Sequence, residues 1–230
     1  MVDGWRMEEV GRSRGGLPLC VFLPRRRAPL DGLLLAALHG EEPETLLLAR
    51  RLLERVPAEA SGWALLPCAN PDGVLAGTRQ NAAGVDVNRN FPAGSWSPEP
   101  SFTYPPGCLD RRSPHRTNRS SSGTAPASEP ETQAVLRLVD ELDPALLLDL
   151  HSPLACLVPT AEAPAAVVEA LSTSAELPVV PDVGSPTPGA LRGWCAEVGR
   201  PAITYEVEHA PLPALCARHL PGLEALLRGE

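Results

Sequence analysis

Two imidazoles and one carboxylate stand where apolar runs of this chain end. His39-Gly40-Glu41-Glu42 follows Gly32-Leu33-Leu34-Leu35-Ala36-Ala37-Leu38, and His151 closes Ala145-Leu146-Leu147-Leu148-Asp149-Leu150. His39 and Glu42 reach one metal ion only if the backbone turns after the strand, which Gly40 permits and Pro43 assists by opening a helix. With His151 they make a His, Glu, His set, the three-ligand pattern of a zinc that keeps its fourth position open to water and therefore catalyses. An H-x-x-E pattern is common by chance, so its weight depends on the elements around it.

Short, largely apolar runs over 17–24, 32–39, 62–69, 145–151 and 201–207 are bounded by Gly, Pro or polar clusters and read as strands covered on both faces. Amphipathic patterns over 43–56 and 129–142 read as helices. In the first, Leu46, Leu47, Leu53 and Val56 oppose Arg50, Arg51, Glu54 and Arg55; in the second, Val135, Leu138, Val139 and Leu142 point inward. Further helices are expected over 164–176, 188–198 and 212–228, the last interrupted or kinked at Pro221. Alternation of this kind predicts one α/β domain over 1–230, a mostly parallel or mixed twisted sheet with helices on both faces. Ligands of such sheets collect at the carboxyl ends of the strands, where His39, His151 and Glu206 fall. Region 92–130, rich in Ser, Pro, Gly, Arg and Thr and without apolar periodicity, reads as a long irregular surface insertion rather than a second domain.

Composition excludes some functions. A formal charge of −8 sets the surface against nucleic acid and anionic membranes. The arginines clustered at Arg25, Arg26 and Arg27 and at Arg111, Arg112, Arg116 and Arg119 read as solvated loops. Cys20, Cys68, Cys108, Cys156, Cys195 and Cys216 form no C-x-x-C pair and read as reduced thiols packed as small hydrophobes, not as zinc ligands. Residues 1–16 carry charge and no apolar stretch of the signal-peptide kind, and no run approaches a membrane span, so the default location is the cytoplasm.

Asn70-Pro71-Asp72-Gly73 is strong turn chemistry after a predicted strand. It leads into Gly77-Thr78-Arg79-Gln80-Asn81-Ala82-Ala83-Gly84-Val85-Asp86-Val87-Asn88-Arg89-Asn90-Phe91-Pro92, which has too few apolar positions for a core element and is dense in hydrogen-bonding groups. Together with H-x-x-E, the later His151-Ser152-Pro153 and Thr204-Tyr205-Glu206, these segments resemble the zinc carboxypeptidase family of metallopeptidases. Ser128-Glu129-Pro130-Glu131, Thr187-Pro188-Gly189 and Trp194-Cys195-Ala196 extend the resemblance to the bacterial murein peptide amidase branch, which cleaves the γ-D-glutamyl to diaminopimelate bond.

The resemblance implies that His39, Glu42 and His151 hold one Zn2+ per chain, with Asp86 as the carboxylate that orients a ligand histidine. It implies that Glu206 is the general base that deprotonates the attacking water and later delivers the proton to the leaving amine. Arg79 would stabilise the oxyanion, a contribution of about 3 to 4 kcal/mol for a preorganised donor. Asn88 and Arg89 would hold the free carboxylate of a small peptide, Arg89 through its planar fork. The same resemblance departs at Ser185, where the family carries a mobile tyrosine, and places Arg192 in the specificity pocket. A cation there argues for a departing side chain that bears a carboxylate. Diaminopimelate has one, and also an ammonium that Arg192 would repel.

Three further imidazoles compete for attention. His115 and His219 read as solvated, and His209 as structural. Strand pleating puts Glu208 on the same face as Glu206, and the T-x-E match selects Glu206. The reading is therefore a zinc metallopeptidase that releases the carboxyl-terminal residue of a small peptide. Its alternatives are a zinc acyl-amino-acid deacylase of the desuccinylase or aspartoacylase type, and a non-catalytic homologue that binds murein peptides.

Overall fold

The near-continuous apolar runs become strands buried on both faces. In the computed structural model, which describes residues 4–25, 29–103 and 118–230, every residue of β3 (Gly32–Ala36), β4 (Trp63–Leu66) and β7 (Leu147–His151) is buried. Arg26, Arg27, Cys108, Arg111, Arg112, His115 and Arg116, which figured in the sequence reading, lie outside the described residues. With β1 (Arg6–Arg12), β2 (Pro18–Leu23), β8 (Leu154–Pro159) and β9 (Ala202–Glu208), these strands form one seven-stranded sheet in the order β1-β2-β4-β3-β7-β9-β8. Its centre, from β4 through β3 and β7 to β9, is parallel, and antiparallel pairs flank it on both sides. The sheet is therefore mixed, as the α/β expectation allowed.

Helices cover both faces. Leu48, Leu52 and Leu53 of α1 (Pro43–Arg55), Val168 and Leu171 of α4 (Ala165–Ala175) and Leu215, Leu220 and Leu223 of α6 (Leu212–Arg228) pack on one side with Leu34, Leu148 and Tyr205. Val135 and Leu138 of α3 (Pro130–Leu142) and Leu191 and Cys195 of α5 (Leu191–Glu197) pack on the other with Leu33, Leu35 and Leu147. Helix α6 runs through Pro221 without interruption. A short helix, α2 (Pro71–Ala76), follows Asn70, whose side chain accepts from the Gly73 amide at 3.0 Å; the sequence read this segment only as a turn. Within 92–130 the described residues contain the two-stranded ribbon of β5 (Ser101–Thr103) and β6 (Asn118–Ser120).

Two strands of the seven-stranded sheet, both at its edges, escaped the sequence reading. Strand β1 has four exposed residues in a row, Arg6 to Glu9, and is held by backbone pairing to β2, so no apolar pattern marks it. Strand β8 is the opposite edge, and its first residue, Leu154, is 47% exposed. Both ends of a sheet need fewer buried side chains than its middle. The five described cysteines are unpaired thiols, and burial raises the pKa of Cys68 and Cys156 to about 11 and of Cys195 to about 12. No described helix is long and apolar enough to cross a membrane.

Candidate metal centre

Strand β3 ends at Ala36, three residues short of His39, and the turn that follows uses a device the sequence did not announce. Ala37 takes a positive φ of 51°, and Gly40 serves another purpose: a Cβ there would lie 1.9 Å from the backbone carbon of Gly73. Gly40 is thus the seat on which α2 packs. Glu42 occupies the N-cap of α1 but makes no side-chain cap. Thr45 closes the turn instead, donating to the Glu42 carbonyl at 2.8 Å and accepting from the Ala37 amide at 3.1 Å. The Glu42 carboxylate is left to point inward.

There it meets both histidines. Glu42 Oε1 lies 2.9 Å from His39 Nδ1 and Oε2 lies 3.0 Å from His151 Nδ1, with the two rings 4.6 Å apart between centroids. One ligand atom from each of the three residues falls within 4.8 Å of the others, and all three side chains are buried. Each far ring nitrogen meets another carboxylate. His39 Nε2 is 3.2 Å from Asp86 Oδ1, and His151 Nε2 is 2.7 Å from Asp149 Oδ2.

Asp86 is fully buried and engages three partners. Besides His39 it accepts from the Asn88 amide at 2.9 Å, capping the 3-10 turn Val87–Arg89, and from Arg79 Nε at 2.7 Å. Burial opposes its ionisation, yet the charges of Arg79, His39 and Arg89 hold its pKa well below the usual carboxylate range. The same balance acts on Glu42: burial raises its pKa, and the stronger combined pull of His39 and His151 lowers it. For His151, burial works against the charged form, but Asp149 and Glu42 raise its pKa well above the ordinary value. Arg79 also stands 3.7 Å from both Glu41 and Glu42.

A cavity of about 290 Å³ opens on this cluster. His39, Glu42, Arg79, Asn88, Arg89, His151, Ser185, Arg192 and Glu206 all line it, so every residue given a role in the site from sequence, except the fully buried Asp86, reaches one space. Glu206 pairs with His151 across β7 and β9, and the Leu154 amide donates to its Oε2 at 3.3 Å. Burial raises the Glu206 pKa to about 7, against the lowering charge of His151. That is the range in which a carboxylate both accepts and returns a proton at neutral pH. Asn88 is oriented by the Leu191 amide, which donates to its Oδ1 at 2.8 Å. The Arg89 guanidinium donates to the Asn88 carbonyl at 2.7 Å, and its buried Nε has no hydrogen-bond partner among the described residues. Gly189, at φ 68°, lets its loop press on this turn, since a Cβ would stand 2.3 Å from the Arg89 carbonyl oxygen.

Several expectations change. His219 is not solvated: its side chain is fully buried, with Nδ1 2.8 Å from the Tyr205 hydroxyl and Nε2 2.7 Å from Glu208. Glu208, which simple pleating would put beside Glu206, is drawn to α6 by His219 and Arg218. His209 is exposed, not structural. Tyr205 faces α6, so no tyrosine lines the cavity among the described residues. Asp149 was missed. Its signal was present: a charged residue inside an apolar strand run, two positions before His151 and hence on the same face.

The donor set fits a divalent cation. Neutral imidazoles cannot donate to the carboxylates on both of their sides, and Glu41, Glu42, Asp86, Asp149 and Glu206 outnumber the guanidiniums of Arg79 and Arg89 packed among them.

Known proteins point the same way. A family model described as zinc carboxypeptidase matches residues 49–178. Murein peptide amidase A of Escherichia coli K12 is 34% identical over 221 residues, covering 96% of this chain and 89% of the relative. The Vibrio campbellii protein of the same name is 32% identical over 96% of this chain and 86% of its own. The crystal structure of a murein-tripeptide amidase from Escherichia coli O157 superposes with a TM-score of 0.87 at 33% identity, covering 96% of this chain and 91% of that one. Thrombin-activatable fibrinolysis inhibitor, at 18% identity and a TM-score of 0.74 over 99% of this chain and 70% of that one, shares the fold. By family model, sequence and architecture alike, this chain belongs to the zinc carboxypeptidase family of hydrolases.

Proposed function

We propose that this protein is a zinc-dependent amidase that releases the carboxyl-terminal residue of a small peptide, and that its substrate bond is the γ-D-glutamyl to meso-diaminopimelate amide of murein peptides. The convergence of His39, Glu42 and His151 on one point, with Glu206 on the wall of the same cavity, carries this reading. In it, His39, Glu42 and His151 would hold one zinc per chain. When bound, zinc supplies Lewis acidity, polarising a carbonyl oxygen and bringing water towards neutral acidity.

The protein's own groups do the remainder. Glu206 takes the proton of the attacking water on its carboxylate and hands it to the departing amine, and the Leu154 amide keeps Oε2 in place meanwhile. Asp86 grips Arg79 through Nε, so the outer guanidinium nitrogens are aimed while the charge stays available to the developing oxyanion. Asn88 and Arg89, which both line the cavity, take the free α-carboxylate. Arg192 lies on the same cavity wall, and among the described residues the only carboxylates lining that cavity are Glu42 and Glu206. Arg192 therefore serves a second carboxylate on the departing residue, as diaminopimelate offers, and leaves its ammonium to the hydroxyls of Ser185 and Thr187 or to solvent. A family tyrosine is replaced by Ser185, which costs placement of the substrate and leaves water activation and proton transfer intact.

The cytoplasmic setting and a role in recycling wall peptides belong to this reading. They are supported by the unpaired thiols, which suit a reducing compartment, and by the murein substrate of the named relatives. The test is direct: zinc-loaded protein is incubated with L-Ala-γ-D-Glu-meso-diaminopimelate and free diaminopimelate is measured. Release that stops on chelation and in Glu206→Gln supports the reading. Tight peptide binding with no release by zinc-loaded wild type would favour the non-catalytic homologue, and turnover of N-acyl amino acids instead would favour the deacylase.

A further inference from the structure

We propose that Asp149 is a positioning residue with two effects, setting the tautomer of His151 for metal binding and keeping the amide of Asn88 free for substrate. The proposal rests on the zinc reading above.

The His151 ring stands between two acceptors, and its sides are not equivalent. Nδ1 faces Glu42, on the side where the three ligand atoms converge, and Nε2 faces Asp149 at 2.7 Å. An ionised carboxylate only accepts, so a hydrogen bond at that distance requires the proton on Nε2. The Nδ1 lone pair is then the one presented to a cation. Asp149 and His151 alternate on β7, a rigid strand hydrogen-bonded on both sides, so this geometry is built in.

A second group competes for Nε2. Asn88 Nδ2 lies 3.2 Å from it, and the Leu191 amide on Oδ1 fixes which end of the Asn88 side chain points there. An amide NH2 only donates. With Asp149 present, both nitrogens are donors, no hydrogen bond forms between them, and the Asn88 hydrogens remain for a ligand in the cavity it lines. Without the carboxylate, Nε2 accepts from Asn88, the ring proton moves to Nδ1, and the lone pair meant for the metal is lost.

Asp149 also differs from its counterpart. Asp86 divides its oxygens among His39, Arg79 and the Asn88 amide, whereas Asp149 Oδ1 is buried without a hydrogen-bond partner among the described residues. A buried carboxylate with one oxygen unsatisfied is unfavourable for folding alone. The contact with His151 is the reason left for it.

The experiment compares wild type with Asp149→Asn. Zinc affinity is read by competition with a chromophoric chelator, ligand geometry by the visible spectrum of the cobalt(II) form, and kcat and KM separately on the murein tripeptide. Loss of zinc affinity by about 10- to 100-fold, an altered cobalt spectrum and a raised KM in zinc-saturated protein are expected, with the metal-free melting temperature held or raised. Unchanged zinc affinity and cobalt spectrum in the variant overturn the proposal while leaving the zinc reading standing. A wild type that binds no zinc overturns both. Should Asp149→Asn not fold, Asp149→Ser, which is smaller and also lacks the carboxylate, is judged by the same readouts.

Discussion

Strand β9 separates two buried clusters of histidine and carboxylate that answer to opposite rules. On the α6 side, the Tyr205 hydroxyl donates to His219 Nδ1, and His219 Nε2 donates to Glu208, so one neutral imidazole satisfies the whole chain. Burial lowers the His219 pKa, against the raising pull of Glu208, which agrees with a neutral ring. On the cavity side, His39 and His151 each face a carboxylate at both nitrogens, which neutral rings cannot satisfy. Charge is drawn onto His151 instead. The first cluster is complete with a neutral ring; the second needs either a proton on its ring or, in the reading proposed above, a cation between its members. Counting donors against acceptors thus separates a structural polar cluster from a ligand site without reference to any family.

The contrast is open to attack where its effects are largest. Glu42→Gln removes the carboxylate shared by both rings, and zinc binding, measured by metal analysis after dialysis, is expected to vanish together with hydrolysis. His219→Leu should keep both. In wild type, zinc at about 1,000 times its Kd should stabilise the fold by about 4 kcal/mol, read as a rise in melting temperature that Glu42→Gln lacks.

Next in size is the proton-transfer group. Glu206→Gln should lower kcat by about 100- to 10,000-fold with zinc content unchanged. Retained turnover would assign the base elsewhere, and Glu208, tied to α6, is excluded by its geometry.

The same substitution sharpens the comparison through pH. Glu206 has its pKa raised to about 7 in the folded metal-free protein, above its unfolded value, so its stabilising proton is fully held below the unfolded pKa and lost as pH rises through 7. Metal-free wild type should therefore lose up to roughly 3 kcal/mol between acid and alkaline conditions through this group. Glu206→Gln should lack that loss, and its melting temperature should exceed that of wild type at pH 8 by more than at pH 5.

The smallest effect lies on the closed side. His219→Leu strands the Tyr205 hydroxyl and the Glu208 carboxylate, and about 1 to 3 kcal/mol of stability should disappear in denaturant unfolding, with kcat of the folded enzyme kept. A large loss of kcat there would mean that the two clusters communicate through β9.

Much of this was legible along the chain. The aliphatic runs marked β3, β7 and β9 because a parallel strand covered on both faces leaves a continuous apolar signature. The helices were marked by period, and α6 was bounded as observed at Leu212 and Arg228. What went unread had no such signature. Strand β1 is polar and held by its backbone, and α2 is one short turn nucleated by the Asn70 side chain. His219 was misread because polarity alone says nothing about a partner supplied from β9. Asp149 was readable in principle, as a charge with no business in an apolar strand unless paired.

The sequence by itself determined which residues had the chemistry to act: an imidazole and carboxylate beyond β3, an imidazole ending β7, a carboxylate on β9, and the run from Arg79 to Arg89. Local burial and pleating are written in nearest neighbours, so they survive reading in one dimension. Only the tertiary structure decided what those residues do to one another, because the decisive contacts join distant segments. Glu42 meets His151 across 109 positions and Asn88 is set by Leu191 across 103. Which carboxylate faces which ring nitrogen follows from packing at ångström scale, and on that assignment rests the difference between a cluster that closes on itself and one with the donor set for a metal.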